Sequence, residues 1–292
     1  MKLPGKEIRI AIQDILQKRA EKLTKRGHKP HLLTILIGTS EAQMNFITLK
    51  QKMATKLGAK FTFIHLEDPT QFIPFIKQLK KYAVDPSING IIIQHPLPFH
   101  LQSDSIYNYI PSLKEIEGHR QKTPFYSPIG LATATFLKYI FNGEEINDEI
   151  LFDTEKDSIN LKSFLKNKRI VIIGRGISAG LPIAKTFSLM NIPFLHTNST
   201  TYKPEEYYRA ADIIITATGK EILTPDMLKP GVILLNLGLR KDGDIFRGDY
   251  DENKIETVAS YYSPTPGGIG PVDILYLYNN LIQATEMQSD SK

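Results

Sequence analysis

The sequence predicts an α/β protein with two domains. Its 292 residues exceed the usual size of one domain, about 100–200 residues, and favour two. Short apolar runs alternate along the chain with segments whose apolar residues recur three and four positions apart, as in buried parallel strands and amphipathic helices. A glycine-rich segment directly follows one of the apolar runs, which is typical of a strand–turn–helix unit.

The first half of the chain contains three predicted strands and three predicted helices. The strands are short apolar runs at 31–38, 60–66 and 89–98. The helices are at 7–26, at 40–57 and from Pro69 to about Tyr82. We expect Ser40 to cap the second helix and Gly58 to end it, because these residue types are favoured at the two ends of a helix.

The second half repeats the alternation after a helix that begins near Pro128 and runs to about Phe141. We interpret the acidic, weakly patterned segment 142–160 as a surface insertion. The strands that follow are predicted at 169–174, 193–197, 212–219 and 232–238. The helices are predicted at 178–190, at 204–210 and from about Pro271 onward.

The composition excludes several classes of protein. The apolar fraction is 41% and the charged fraction 23%, as in ordinary globular chains. No run approaches the roughly 18 apolar residues of a membrane span, and the charged N-terminal segment lacks the apolar core of a signal peptide. The absence of cysteine excludes disulfides, thiolate metal sites and cysteine nucleophiles. We therefore expect a cytoplasmic protein with no membrane association and no bound metal.

The charge balance indicates the kind of partner. A net charge of +5 favours anionic ligands such as phosphates and carboxylates. The Lys and Arg residues are scattered and form neither a basic stripe nor a known reader motif, so we do not expect nucleic-acid binding.

The segment GRGISAG at 174–180 has the form G-x-G-x-x-x-G between a predicted strand and a predicted helix. Glycines at such a turn let the backbone approach a pyrophosphate, and the helix N-terminus stabilises the negative charge. The segment predicts a Rossmann-type dinucleotide site, with a tight turn that binds nothing as the alternative. The candidate contacts are Gly174, Arg175, Gly176, Ile177 and Gly180.

The end of the next predicted strand indicates which dinucleotide is preferred. A site for NAD usually has Asp or Glu there to bond the ribose hydroxyls. Residues 196–201, HTNSTT, contain no carboxylate, whereas their hydroxyls and the guanidinium of Arg175 suit the 2′-phosphate of NADP. We therefore expect NADP to be preferred over NAD.

A second group of candidate residues lies in the first half. Phe46 and Lys50 are four positions apart on one predicted helix and so share a face. Gln94 lies near the end of a predicted strand, and ligands of open α/β sheets bind beyond the carboxyl ends of the strands. We expect a ring, an amine and an amide to converge on a flat polar substrate. The alternatives are a solvated helix lysine and an ordinary amide at a strand end.

Several segments, in order over nearly the whole chain, resemble the methylenetetrahydrofolate dehydrogenase/cyclohydrolase family. The sequence PGGIGP after the predicted dinucleotide half is the most specific of them, and NGIIIQHPLP corresponds to the family pattern DGILVQLPLP. The matching segments are IGTSEAQMNFITLKQKMATKLGAKF (37–61), NGIIIQHPLP (89–98), KEIEG (114–118), SPIG (127–130), GRGISAGLP (174–182), TNSTT (197–201), ADIIITATG (211–219) and PTPGGIGPVDILYLYNN (264–280).

The resemblance implies oxidation of methylenetetrahydrofolate with NADP, followed by hydrolysis of the methenyl product to 10-formyltetrahydrofolate. It makes Lys50 the central residue of hydrolysis, with Gln94 bonded to it, and puts Glu117 where the family's Asp grips the pterin ring. Arg175 and Ser199 would contact the 2′-phosphate. The other implied folate contacts are Phe46, Pro266, Gly267, Gly268, Ile269, Gly270, Pro271 and Asp273, and the other implied cofactor contacts are Thr218 and Gly219.

The resemblance also implies a division of labour between domains. A three-layer α/β domain at 1–127 would bind folate and be completed by residues 271–292, whose helix returns to it. A Rossmann-type domain at 128–270 would bind NADP and mediate a homodimer.

Departures from the family pattern cluster around the substrate site. The family's Tyr is Phe46, which keeps the ring and loses the hydroxyl; its Ser is Gln43, and its Asp is Glu117. The stretch after the EG pair is shortened to residues 119–126, and Asp273 replaces Thr, either as a first-turn helix acid or as a substrate contact. We expect weak hydrolysis. Two alternatives stay open: a paralogue acting on another pterin-like or small anionic substrate, and a non-catalytic ligand-binding protein.

Overall fold

The computed structural model of the protein describes residues 1–38, 40–67 and 71–290. Within these ranges, none of the helices has the length and apolar character needed to cross a lipid bilayer. The α-helices are α1 (Gly5–Lys25), α2 (Glu41–Leu57), α3 (Phe72–Val84), α4 (Pro128–Phe141), α5 (Lys156–Leu165), α6 (Gly180–Leu189), α7 (Pro204–Ala210), α8 (Glu252–Ile255) and α9 (Ile269–Asp290). The strands are β1 (His31–Ile37), β2 (Lys60–Leu66), β3 (Gly90–Ile93), β4 (Ile170–Ile173), β5 (Leu195–Thr197), β6 (Ile213–Thr216), β7 (Val232–Asn236), β8 (Arg240–Asp242), β9 (Ile245–Arg247) and β10 (Ala259–Tyr262).

These elements form two compact units. The unit with residues 13–128 and 274–292 contains a three-stranded sheet, and we call it the three-stranded unit. The unit with residues 1–12 and 129–273 contains a five-stranded sheet, and we call it the five-stranded unit. Residues 1–12, which the predicted domain division places with the N-terminal half, group here with the five-stranded unit.

The sheet of the three-stranded unit is parallel and has the order β2-β1-β3. In the central strand, Ile35 pairs with Ile64 on one side and Ile93 on the other. All residues of β1 and β3 are buried, as expected for a sheet covered on both faces. The third strand is shorter than predicted and ends at Ile93, because Pro96 and Pro98 lack the N–H that would continue a strand ladder.

The helices of this unit lie close to their predicted ranges, but Ser40, which precedes α2 as predicted, makes no side-chain capping hydrogen bond. Helix α2 ends at Gly58, whose φ of 70° is a left-handed conformation that glycine adopts without strain. Pro69, predicted to open the third helix, lies outside the described residues, and α3 begins at Phe72. The core joins β1, α3, β3 and the short 3-10 helix at Asp104–Tyr109 around residues such as Leu79 and Tyr107.

The C-terminal helix α9 packs within the three-stranded unit from residue 274 onward. Arg19 of α1 donates from Nη1 to Asn279 Oδ1 at 2.8 Å, and its Nη2 pairs with Glu286 Oε2 at 2.7 Å. Asn280 donates from Nδ2 to the carbonyl oxygens of Ile116 and Tyr126, at 2.8 and 2.9 Å. The prediction that the last helix returns to the first domain is confirmed.

The sheet of the five-stranded unit is parallel throughout and has the order β10-β7-β6-β4-β5. The chain passes from β4 to the edge strand β5 and then to β6 on the other side of β4. The direction of winding therefore reverses between β4 and β6, and ligands of doubly wound sheets bind at such a point. The predicted Rossmann-type parallel sheet is confirmed.

Strand β10, the hairpin of β8 and β9, and the short helix α8 of the five-stranded unit were not predicted. Strand β10 has the sequence ASYY and lies at the edge of the sheet, where it lacks the continuous apolar run of a central strand. Strands β8 and β9 form a short antiparallel hairpin of mainly exposed residues. Neither β10 nor the hairpin has the apolar sequence pattern from which a strand is predicted.

The prediction that 142–160 is only a surface insertion is wrong for its second half. Ile150 and Phe152 are buried, and helix α5 begins at Lys156. Asp157 is buried as well, and its Oδ2 pairs with Lys138 Nζ at 2.6 Å. The segment was misinterpreted because, in the sequence alone, a buried carboxylate with a cationic partner looks the same as a solvated one.

Candidate active site

Lys50 is a buried residue on α2. It is 8% exposed, and its Nζ donates to Gln94 Oε1 at 2.9 Å. Its carbonyl oxygen accepts a 2.7 Å hydrogen bond from Tyr278 Oη of α9. Burial raises the pKa of the Tyr278 hydroxyl, which therefore stays protonated as a donor. The alternative of a solvated helix lysine is wrong.

Gln94 follows β3 directly and is 9% exposed. Its backbone N–H donates to the carbonyl oxygen of Ile35 at 2.8 Å, which continues the pairing of β1 and β3. Its side-chain Nε2 donates to the carbonyl oxygen of His95 at 3.1 Å, so that Oε1 is turned toward Lys50. Both ends of this amide are engaged, which orients the Lys50 amine.

Glu117 completes a cluster around the amine of Lys50. Its Oε1 lies 4.0 Å from Lys50 Nζ, and the two side chains are 19% and 10% exposed. The backbone of Glu117 is held by Glu115, whose Oε1 accepts its N–H at 3.0 Å and whose Oε2 accepts the N–H of Arg120 at 3.0 Å. The structure thus brings Lys50, Gln94 and Glu117 together in the three-stranded unit.

The glycine-rich loop lies between β4 and α6 of the five-stranded unit. Gly174 has a φ of 104°, and a Cβ atom on Gly180 would lie 1.9 Å from the Gly174 carbonyl oxygen. Side chains are therefore excluded at both positions. A Cβ atom on Gly176 would meet nothing within 4 Å. The loop leaves its outer backbone accessible at the winding reversal of the sheet.

Arg175 and Ser199 are exposed, as a contact with a phosphate requires. Arg175 donates from Nη2 to the carbonyl oxygen of His196 at 3.1 Å, which places the guanidinium at the end of β5. The turn that follows is organised by Asn198, whose Oδ1 accepts the N–H and Oγ1 of Thr200 at 3.1 and 2.9 Å. This turn carries Ser199 and contains no carboxylate side chain.

Thr218 and Gly219 follow β6 and are fixed by a residue that the sequence analysis missed. Asp249 is fully buried; its Oδ2 accepts the N–H of Thr218 at 2.8 Å, and its Oδ1 accepts the N–H of Lys220 at 3.1 Å. A Cβ atom on Gly238 would lie 1.9 Å from Asp249 Oδ1. Asp249 lies outside every motif, so its position in the sequence gives no signal.

The segment 266–273 belongs to the five-stranded unit. Pro266, Gly267 and Gly270 are exposed, Gly268 and Ile269 are buried, and Pro271 and Asp273 are half-buried. Helix α9 begins at Ile269, earlier than predicted, so Asp273 lies beyond the first turn. The expectation that Asp273 is a first-turn acid is wrong, because the helix includes the glycine-containing segment before Pro271.

Comparison with known proteins gives the family. Residues 3–117 match the catalytic domain of the tetrahydrofolate dehydrogenase/cyclohydrolase family, and residues 158–289 match its NAD(P)-binding domain. The chain belongs to this family.

Individual members of the tetrahydrofolate dehydrogenase/cyclohydrolase family are similar to the chain over nearly its full length. The bifunctional protein FolD of Thermodesulfovibrio yellowstonii is 28% identical over 295 aligned positions, covering 98% of this chain and 96% of that protein. The bifunctional protein FolD of Staphylococcus aureus strain Newman is 29% identical over 293 positions, with coverage of 98% and 96%. The crystal structure of the bifunctional enzyme FolD, a methylenetetrahydrofolate dehydrogenase/cyclohydrolase from Campylobacter jejuni, has a TM-score of 0.85, 26% identity and coverage of 98% of this chain and 99% of that chain.

Two departures from the family pattern lie on α2 beside Lys50. Phe46 is 47% exposed, so its ring is available to a ligand. Gln43 is buried, and its Nε2 donates to the carbonyl oxygen of Pro96 at 2.9 Å. Gln43 therefore ties α2 to the segment after β3.

A ring cluster near Glu117 was not predicted. It consists of His95, Tyr107 and His119, of which His95 replaces the Leu of the family pattern QLPLP. His119 Nε2 lies 3.8 Å from Glu117 Oε2. His95 lies within a recognised motif and His119 directly follows one, which was the available signal, whereas Tyr107 lies between motifs and gives none.

Proposed function

We propose that this chain oxidises 5,10-methylenetetrahydrofolate with NADP and hydrolyses the methenyl product to 10-formyltetrahydrofolate. The observation that carries the proposal is the buried cluster of Lys50, Gln94 and Glu117 in a member of the tetrahydrofolate dehydrogenase/cyclohydrolase family. Burying an amine costs free energy of folding, and such groups cluster at functional sites. The buried amine of Lys50 therefore argues against a non-catalytic protein. Nothing in the site favours another pterin-like or small anionic substrate.

Lys50 is assigned the proton transfer of hydrolysis. Addition of water to the methenyl carbon releases a proton, and an amine within reach of that carbon can move it. Gln94 Oε1 fixes the direction of Nζ, since it accepts one of its hydrogens at 2.9 Å. Burial of the cluster limits competing water around the amine.

Glu117 and Phe46 are assigned to the pterin ring. The carboxylate of Glu117 accepts hydrogen bonds from the N–H groups of the ring, and the half-exposed ring of Phe46 stacks on it. Further folate contacts are assigned to Pro266, Gly267, Gly268, Ile269, Gly270, Pro271 and Asp273.

The glycine-rich loop fits a dinucleotide. Its open outer side at Gly176 admits a pyrophosphate, and the N-terminus of α6 stabilises the charge. When bound, NADP would supply the acceptor for the hydride that leaves the folate carbon. Arg175 and Ser199 hold the 2′-phosphate, because both are exposed and no acid lies in the turn between 198 and 201. The remaining contacts are assigned to Gly174, Ile177, Gly180, Thr218 and Gly219.

We assign folate binding to the predicted domain 1–127, completed by 271–292, and NADP binding to 128–270. We further propose a homodimer formed through the NADP-binding domain and a cytoplasmic location, with which the lack of cysteine, and so of any disulfide, is compatible. Sedimentation velocity of the purified protein tests the dimer: a single species of monomer mass at micromolar concentration would contradict it.

The function is tested with purified protein, methylenetetrahydrofolate and NADP. We expect NADP reduction and, separately, hydrolysis of added methenyltetrahydrofolate. The Lys50→Met variant keeps a side chain of similar length without the amine, so its rate of hydrolysis should fall at least a hundredfold, the usual scale for loss of an acid–base group. Hydrolysis at the wild-type rate would exclude Lys50 from the reaction, and wild-type protein inactive in both assays would contradict the proposed function.

A further inference from the structure

The two carboxylate oxygens of Glu117 face different nitrogens. Oε1 lies 4.0 Å from Lys50 Nζ, and Oε2 lies 3.8 Å from His119 Nε2. The side chains of His119 and Glu117 are 17% and 19% exposed, so water screens their interaction only weakly. Glu117 is thus bracketed by an amine that we assign to hydrolysis and by an imidazole with no assigned role.

The ring of His119 is held in place from outside the Glu117 loop. It stacks on Tyr107 with a centroid distance of 4.6 Å and an interplanar angle of 26°, and its centroid lies 5.2 Å from that of His95. Tyr107 is buried, and its hydroxyl is hydrogen-bonded to His95 Nε2. The imidazole therefore presents Nε2 to Glu117 from a fixed support.

A glutamate at position 117 needs such a support more than an aspartate would. Glu has one more rotatable bond than the Asp of the family pattern, and each ordered side-chain torsion costs conformational entropy. A partner on Oε2 restricts that extra torsion before the substrate arrives. This sequence therefore combines the longer acid at position 117 with an imidazole at position 119.

We propose that His119 is a positioning residue for Glu117, orienting its carboxylate toward the pterin ring. The inference rests on the proposed function, because it assumes that Glu117 grips the substrate. At 3.8 Å the pair is longer than a hydrogen bond. Contacts of this kind tighten when the substrate binds, and His119 Nε2–H then donates to Oε2.

Two substitutions of His119 distinguish the effect of its N–H donor from the effect of its ring stacking. His119→Phe keeps the stacking on Tyr107 and loses the N–H, whereas His119→Gln keeps an N–H donor and loses the stacking. We expect His119→Phe to raise KM for folate about tenfold in both reactions, the effect of one charge-assisted hydrogen bond. His119→Gln should stay within about threefold of wild type. KM for NADP should be unchanged in both, since the dinucleotide residues lie in the five-stranded unit.

His28→Gln is the matched control, because His28 is an exposed histidine of the same unit. It should leave every constant at its wild-type value. A larger rise in folate KM for His119→Gln than for His119→Phe would overturn the proposal, because it would show that folate binding depends on the stacked ring and not on the N–H donor.

The coupling to Glu117 is tested in a double-mutant cycle. The shorter side chain of Glu117→Asp withdraws the carboxylate from His119, so adding His119→Phe to it should raise folate KM by less than twofold. Equal effects of His119→Phe with Glu and with Asp at position 117 would overturn the positioning role. Wild-type activity with wild-type KM in every variant would overturn it while leaving the proposed function intact; an inactive wild-type protein would overturn both.

Discussion

At the scale of single residues, Phe46 is expected to contribute to substrate binding but not to the rate of hydrolysis. Its ring is half-exposed and can stack on a pterin, but it has no hydroxyl to offer beside Lys50. Stacking stabilises the ground state and the transition state alike and so supports binding. A hydroxyl that ordered water or the lysine would act on hydrolysis, whereas hydride transfer depends chiefly on the distance between the reacting carbons.

We therefore expect Phe46→Tyr to raise kcat for hydrolysis by about tenfold or more, with kcat for the dehydrogenase changed less than twofold. Gln43 limits this gain only if its bond to the Pro96 carbonyl oxygen breaks, because that bond engages its side-chain amide. The measurement is kcat for both steps in wild type and variant. Wild-type hydrolysis faster than wild-type hydride transfer would show that the missing hydroxyl is unimportant.

Arg175 is the residue through which the choice of cofactor is best tested. Its guanidinium is exposed and held at the end of β5 by a single described hydrogen bond, to the His196 carbonyl oxygen. Arg175→Ala should raise KM for NADP about tenfold or more, since a charge-assisted contact with a phosphate is lost, and should change KM for NAD little. Steady-state kinetics with each cofactor decide the point: equal losses for both would remove Arg175 from the 2′-phosphate.

At the scale of elements, the connection between β4 and α6 is fixed by backbone contact. Gly174 and Gly180 touch closely enough that a Cβ atom on Gly180 would overlap the Gly174 carbonyl oxygen, at 1.9 Å. Gly176, four residues earlier than Gly180, has open space around it. The contact between Gly174 and Gly180 is therefore part of the fold, whereas the open space at Gly176 is available to a ligand.

Gly180→Ala and Gly176→Ala should accordingly behave differently. Gly180→Ala displaces backbone, so we expect a loss of about 1–3 kcal/mol in the free energy of unfolding together with weaker NADP binding. Gly176→Ala should keep the stability of the wild type and weaken only NADP binding, because its methyl group occupies the open side. Thermal unfolding and NADP titration of the two variants test this, and a stable Gly180→Ala variant with wild-type affinity would contradict it.

At the scale of the whole molecule, the predictable part of the structure is the part that depends on periodicity. Strands such as β1 and β6 are uninterrupted apolar runs, and helices such as α2 carry recognisable ends. Strand β10 and helix α5 were missed, because an edge strand and a helix with a paired acid such as Asp157 do not show an apolar pattern. The local sequence pattern does not show which residue elsewhere in the chain will contact a given side chain.

The residues of the candidate site likewise fall into those that the sequence predicts and those that it does not. Lys50, Gln94 and the glycine-rich loop were predicted because they lie in motifs with a known spacing. Asp249 and Tyr107 were not, because each acts through contacts with residues far away in sequence, such as Thr218 and His119. Tertiary contacts of this kind become visible only in three dimensions.

The whole protein should respond to both ligands. NADP at a hundred times its Kd stabilises the folded state by about 2.7 kcal/mol, and a folate analogue at the same excess does so equally. We expect both to raise the unfolding midpoint, with NAD at the same concentration raising it less. A midpoint that moves with NADP but not with a folate analogue would favour a different substrate, and one that moves with neither would contradict both sites.

The exposure of Arg175 and Ser199 has a consequence for how this protein can change over evolutionary time. Neither side chain is packed into the core, whereas the crowded pair Gly174 and Gly180 fixes the backbone on either side of Arg175, and Asn198 organises the turn that carries Ser199. Because we assign these two side chains to the 2′-phosphate, we expect mutations at positions 175 and 199 to alter cofactor preference without loss of the folded state. A lineage could then exchange one nicotinamide cofactor for the other by steps that each leave the fold intact.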